Sequence, residues 1–369
     1  MVFRHLIRGA AALGLLAVLF GASSAAAQTT TAELPANVLA SAPVTDIPPS
    51  YRLTGIGYIA QTWNNCGPAT LTMALSYYEG FSATPQAQDQ AARWLKPNPE
   101  DKNVSPWQMA EYVNTQLDGS LRAIVRQGGT LDLLRVLIAN NFPVMIEAGY
   151  DPPGRNLGWM GHYLLVDGYD DATRTFYTQD SYDGANMPYS YDHIMQFWRH
   201  FNYVYIVVYD LAREAELLAL LGSNASERQN WINALEIARA EAIANPNDPF
   251  AWFNMGTNFV GLGMYPEAAT AFDQARNVGG GLPWRMLWYQ FGPFEAYLEV
   301  GRYSDVIALA QANLNDGGGH WVEETFYYAG LARAAMGERE RALTNLDQAI
   351  YLNPNFTPAR EARAAIAGT

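Results

Sequence analysis

The sequence contains one cysteine, Cys66, within Gln61-Thr62-Trp63-Asn64-Asn65-Cys66-Gly67-Pro68-Ala69-Thr70-Leu71. It stands just before a stretch with helical apolar spacing, residues 67–78, in which Leu71, Ala74, Leu75 and Tyr78 fall on one side. A thiol at a helix start meets the positive end of the dipole and unpaired N–H groups, both of which favour the thiolate. Gly67 allows close approach of a backbone or substrate, and Pro68 suits a first helical position, where no N–H is needed. Gln61 can turn its side-chain NH2 toward an oxygen that gains negative charge. A lone cysteine is more often a small buried hydrophobe. Two further features turn the reading toward chemistry. His162 opens the apolar run Gly161-His162-Tyr163-Leu164-Leu165-Val166-Asp167 after a glycine-rich loop, and Asp180 follows 18 residues later at the end of the next strand-like run. Adjacent antiparallel strands could set that carboxylate beside the imidazole, where it would fix tautomer and orientation. The other histidines are weaker candidates. His5 lies in the N-terminal leader, His193 and His200 are seven apart in a helical stretch with no third ligand evident, and His320 follows a glycine-rich turn. No metal or cofactor is assigned.

These residues need elements to carry them. Residues 87–95, 105–117 and 130–140 read as three more helices, with Ser105-Pro106 as cap and first position. Residues 121–125, 144–148, 162–167, 175–179 and 203–209 are rich in β-branched and aromatic side chains and read as strands. Early helices and later strands imply an α+β domain with segregated layers. The loop 150–161, which carries Arg155, Trp159 and Met160, is expected to border a substrate cleft.

The order of Gln61, Cys66-Gly67-Pro68-Ala69, Phe142-Pro143-Val144-Met145-Ile146, Gly161-His162, Gly168-Tyr169-Asp170-Asp171 and Asp180 resembles the papain-like cysteine peptidases related to bacteriocin-processing, double-glycine leader peptidases. The resemblance spans about residues 56–209. It implies a papain-like α+β fold with Cys66 as nucleophile, His162 as general base and acid, Asp180 as orienting acid and Gln61 as oxyanion donor. Members often carry proline where this chain has Ser181. The leader peptidases are fused to membrane transporters, and no further apolar run of spanning length is evident here, so double-glycine specificity is not carried over.

Beyond residue 210 the texture changes to alanine-rich helical pattern, and a repeat emerges. Segments 261–275, 298–312 and 333–349 align on Gly263, Gly301 and Gly337, spaced by 38 and 36 residues. Tyr265, Tyr303 and Arg339 follow two positions on, Ala268, Val306 and Ala342 five on, and Phe272, Ala310 and Leu346 nine on. The pattern resembles the tetratricopeptide repeat, a helix–turn–helix unit of about 34 residues. Residues 254–261 and 327–334 are expected first helices; the middle copy is degenerate, with Pro293 inside its expected first helix. Residues 211–244 hold a worn copy or a capping pair.

Composition bounds the rest. The 369 residues carry 36 acids against 23 bases, a net charge of −13, which argues against nucleic acid as partner. Only Lys96 and Lys102 are lysines, so there is no polybasic patch for an anionic membrane. Residues 1–27 read as a signal peptide: Arg4 and Arg8, an apolar run too short to span a bilayer, then Ala25-Ala26-Ala27 before Gln28. The expected organisation is therefore a signal peptide (1–27), a linker (28–50), a papain-like cysteine peptidase domain (51–210) and an all-α tetratricopeptide solenoid (211–369). The expected function is an exported cysteine peptidase, secreted or periplasmic, acting on a peptide or protein, with repeats that recruit substrate or a protein partner. Two alternatives use the same residues: a non-catalytic binding scaffold, and a thiol acyltransferase or cell-wall amidase.

Overall fold

The structure, a computed structural model, describes residues 47–117, 119–152 and 154–368. The expected signal peptide and all but the last four residues of the expected linker lie outside the described residues. In chain order the N-terminal region contains β1 (Ser50–Arg52), α1 (Cys66–Leu75), α2 (Pro85–Leu95), α3 (Pro106–Gln116), β2 (Leu121–Arg126), α4 (Leu131–Ala139), β3 (Val144–Tyr150), β4 (Met160–Asp170), β5 (Thr175–Asp180), β6 (Gly184–Ser190), α5 (Tyr191–Trp198) and β7 (Tyr205–Asp210). The strands form one antiparallel sheet in the order β2-β7-β3-β4-β5-β6, with β1 on β4.

Strand periodicity explains why this sheet is covered on both faces. Successive side chains point to opposite sides, and in the central strands both sets are apolar. Met145, Tyr163, Leu165, Ile206 and Val208 pack under Leu71, Met73 and Leu75 of α1 together with α2 and α3. Val144, Ile146, Leu164, Val166, Tyr205 and Val207 face Leu134, Leu137 and Ile138 of α4 and Ile194 and Trp198 of α5. Residues 67–75 of α1 are all buried, so the helix that begins at Cys66 is a core element, held by the sheet on one side and by α2 and α3 on the other. This is the α+β papain-like arrangement expected from the resemblance. Two strands had no sequence signal. β1 takes up the end of the expected linker, with Ser50 opposite Asp170. β6 contains Pro188 and is half exposed, so it lacks an apolar alternation.

Every described element after β7 is helical: α6 (Glu214–Leu221), α7 (Glu227–Ala244), α8 (Pro249–Gly261), α9 (Tyr265–Asn277), α10 (Gly292–Glu299), α11 (Tyr303–Asn315), α12 (Glu323–Ala335), α13 (Arg339–Leu352) and α14 (Thr357–Ala367). Pairs α8/α9, α10/α11 and α12/α13 are the repeats. Their turn glycines, Gly263, Gly301 and Gly337, have φ of 73°, 78° and 79°, a left-handed conformation that favours glycine. The aligned residues Ala268, Val306, Ala342, Phe272, Ala310 and Leu346 are all buried. Phe272 fills the space beside Gly256, and Leu346 the space beside Gly330. In the middle copy the sizes exchange, with Phe294 at the glycine position and Ala310 opposite. Pro293 stands at the start of α10, which is thereby shortened to 8 residues.

The described residues form one compact unit, and the helical region grips the sheet region through asparagines. Asn230 bonds both the N–H and the C=O of Gln127. Asn254 donates to the carbonyl of Arg199, Asn258 exchanges bonds with Asn202, and Asn353 and Asn355 donate to the carbonyls of Leu95 and Trp94.

Candidate active site

Cys66 is the first residue of α1, where the helix leaves its first N–H groups unpaired. Gly67 lets the helix start approach the sheet: a Cβ there would stand 3.2 Å from Val104 Cβ and 3.6 Å from the Tyr163 ring. The preceding turn is held from α2 and the loop beyond it. Lys96 Nζ donates to the carbonyls of Asn64 (3.2 Å) and Pro99 (3.3 Å), and Asn64 itself adopts φ 56°.

His162 lies in β4, opposite Ala148 of β3. Its Nε2 is 2.8 Å from Asp180 Oδ1 at the end of β5, and both side chains are buried. With Nε2 engaged, Nδ1 is the nitrogen left for the thiol, and the Cys66 side chain hydrogen-bonds the His162 side chain. Asp180 is over-determined. Its Oδ1 also accepts from the backbone N–H of Tyr182 (2.8 Å) and Asp183 (3.0 Å), and its Oδ2 accepts from Tyr189 Oη of β6 (2.7 Å). Gln61 joins this group through the next residue. Its N–H donates to the Ser181 carbonyl at 2.9 Å, and Ser181 Oγ donates to Gln61 Oε1 at 2.9 Å. With the amide oxygen engaged, the NH2 is the end left for a ligand. Thr62 beside it is held by Gln88, which also donates to the carbonyl of Ala60.

The electrostatics follow from the geometry. Burial alone would push the Cys66 thiol up, but the hydrogen bond and charge of His162 outweigh it and bring the thiol below its ordinary value. Burial alone would lower His162, but the Asp180 carboxylate, with Cys66, pushes it up to about 10. Burial would raise Asp180, but His162 and the donors around it bring the carboxyl down to about 2. Both shifts favour the thiolate–imidazolium form of the pair. Burial raises the carboxyl of Glu147, paired across the sheet with Tyr163, well above its ordinary value, against a hydrogen bond shared with the Tyr163 side chain.

Cys66, His162 and Asp180 therefore form one chain of hydrogen bonds, and Gln61 joins it through Ser181. The loop 150–161 runs beside them. The Tyr150 ring is 5.1 Å from the His162 ring, and Arg155 pairs with Asp183 at 2.7 Å. His193 stacks on Tyr189, while His200 stacks on Phe250 and accepts from Trp159 Nε1, and both histidine rings pack against Phe197. Sequence reasoning missed Tyr189, Gln88, Lys96 and the use of Ser181. Tyr189 lies on the strand without a pattern. Lys96 carried a signal, being one of two lysines in a chain otherwise served by arginine.

The family model described as the Peptidase_C39 like family matches residues 45–207. No curated protein is a significant match. Among solved structures, a putative C39-like peptidase from Bacillus anthracis is 15% identical, with a TM-score of 0.35, covering 44% of this chain and 98% of its own. MamA from Desulfovibrio magneticus RS-1 (residues 41 to end) is 18% identical, with a TM-score of 0.31, covering 42% of this chain and 93% of its own. The family match covers the sheet region as far as Val207 within β7 and includes every residue of the hydrogen-bonded chain.

Proposed function

We propose that the protein is a cysteine peptidase that hydrolyses peptide or amide bonds through Cys66. The observation that carries this reading is the imidazole of His162, bonded through Nε2 to Asp180 at 2.8 Å with its other nitrogen toward the thiol. The thiolate attacks a substrate carbonyl carbon, forming the S–C bond as the C=O electrons move to oxygen. The Gln61 NH2 and the Cys66 N–H, at the helix start, stabilise that oxyanion. The oxyanion collapses, His162 gives its proton to the leaving amine, and the C–N bond breaks. Water then attacks the thioester, His162 takes its proton, the S–C bond breaks, and the acid leaves as Cys66 returns to thiolate beside the imidazolium. Asp180 keeps the imidazole in the plane and tautomer that serve both steps.

In the same reading, residues 1–27 direct export, and the enzyme works as a secreted or periplasmic protein. A protein partner on the repeats would meet chiefly α9, α11 and α13, because α8 and α12 present polar side chains to the sheet region. The family match and the hydrogen-bonded chain of side chains support the hydrolase reading over a non-catalytic scaffold. The test is incubation of the full chain with a peptide library, with and without an added amine. Peptide products that carry a new C-terminal carboxylate, absent with Cys66→Ala, are expected. Products that incorporate the amine in preference to water would replace hydrolysis with acyl transfer, and cleavage that persists in Cys66→Ala would remove the mechanism.

A further inference from the structure

The connection between the first two repeats, residues 278–291, leaves the repeats and reaches the sheet region. Its 3-10 turn, Met286–Trp288, is flanked by Arg285 and Tyr289. Arg285 Nη1 donates to the carbonyls of Leu157 (2.8 Å) and Trp159 (3.2 Å). The Tyr289 hydroxyl hydrogen-bonds the backbone of Gly161. The ring of Tyr289 packs so closely there that a Cβ on Gly161 would stand 2.9 Å from Tyr289 Cδ1 and 2.8 Å from Phe201 Cζ. Trp159 stacks on Phe201 and meets Tyr289 edge-on at 5.9 Å. Gln290 donates to the His200 carbonyl at 2.9 Å.

These contacts converge on the residues immediately before His162, and there the sheet gives the least support. β5 pairs with β4 only from Leu165 onward, so the start of β4, residues 160–164, is paired with β3 alone. The preceding loop contains Gly154 and Gly158, both with positive φ, and such a segment gains little order from its own backbone. The position of the imidazole nevertheless has to be held closely, because a displacement of about 1 Å can cost about 10²-fold in rate.

We propose that Tyr289 is a positioning residue of the candidate active site: its ring and hydroxyl fix Gly161, and through it the His162 imidazole between Cys66 and Asp180, so that the repeats complete the site in cis. The proposal rests on the cysteine–histidine reading above. Burial and then the charge on Cys66 raise the Tyr289 hydroxyl above its ordinary value, which keeps it protonated and places it within electrostatic reach of the thiol.

The test is the rate of iodoacetamide alkylation of the single thiol against pH, on the full chain. Wild type, His162→Ala, Tyr289→Phe, Arg285→Lys and Asn355→Ala are compared, with thermal melting alongside. In wild type, alkylation is expected well below the free-thiol pKa of about 8.5, and to be lost in His162→Ala. Tyr289→Phe is expected to move the profile to higher pH and slow alkylation near pH 6 by about three- to tenfold, with melting little changed. Arg285→Lys, at a residue that bonds the Leu157 and Trp159 carbonyls and lies over the Trp284 and Trp288 rings, is expected to shift it the same way by less. Asn355→Ala, which loses the bond to the Trp94 carbonyl of α2 and touches neither His162 nor its loop, lowers the melting temperature and leaves the profile in place. A Tyr289→Phe profile that superposes on wild type overturns the positioning role while the cysteine–histidine reading stands. Wild-type alkylation that sets in only near the free-thiol pKa and is unchanged in His162→Ala overturns both.

Discussion

The two regions of the molecule bury polar side chains for different purposes. In the sheet region the buried polar groups converge on each other: Asp180 accepts from His162, Tyr189 and two backbone N–H groups. In the helical region they reach outward. Asn230, Asn254, Asn353 and Asn355 bond backbone of the sheet region, and Asn258 pairs with Asn202. Converging groups alter each other's charge states and can do chemistry. Dispersed amides read a neighbouring backbone and hold it, and Asn353 alone among them also bonds a buried carboxyl, that of Glu323. The helical region is therefore a docked half of one unit, and the surface usually free for partner binding in such repeats is partly taken up internally.

That contrast can be broken most decisively at the thiol. Cys66→Ala should abolish peptide cleavage while leaving the melting temperature within a few degrees of wild type; a cleavage assay and a melt decide it. Gln61→Ala should lower kcat by about 10²–10³-fold through loss of the oxyanion donor. Ser181→Ala, which frees the Gln61 amide without removing it, should cost only about fivefold, one hydrogen bond's worth. Equal losses for these two would mean that Ser181 acts in another way.

On the other side of the contrast, Asn258→Leu should destabilise by about 1–3 kcal/mol, because it leaves the buried Asn202 amide unpaired. Denaturant unfolding would register this, and the alkylation profile of Cys66 should not move. A moved profile would show that docking and chemistry are coupled even at α8.

The smallest effect separates the regions by pH. Asp180 has a folded-state value of about 2, below the unfolded carboxylate value, so its contribution is present above about pH 4 and is lost as pH falls toward 2. Asp101, Glu323 and Glu324 meet where α12 docks beside Ser105 and Lys96. Burial, reinforced by the carboxyls' mutual repulsion, raises Asp101 and Glu324 well above the carboxylate value, and burial raises Glu323. There the folded state holds more protons than the unfolded one, so stability falls as pH rises above about 4. Glu324→Gln should flatten that decline in melting temperature with rising pH, and an unchanged slope would remove Glu324 as its source.

Legibility in the sequence follows the same division. Cys66, His162, Asp180 and Gln61 stood out because nucleophile chemistry restricts residue type and places it at element ends, both of which leave local marks. The repeat was legible because a turn in the left-handed region favours glycine and closely packed helix pairs need small residues at fixed offsets. The central strands declared themselves by apolar runs. β6 did not, since a half-exposed edge strand with a proline has no alternation to read, and β1 is too short to carry one.

The sequence by itself determined the residue set of the candidate site, the α+β class and the helical repeats, because each rests on local residue type and period. Only the tertiary structure decided that His162 is held charged, that Ser181 orients Gln61, that the asparagines dock the helices onto the sheet region and that Tyr289 meets Gly161. Charge states and docking depend on burial and on distances between residues far apart in the chain. Gly161 and Tyr289 are 128 positions apart, and no periodicity spans that gap.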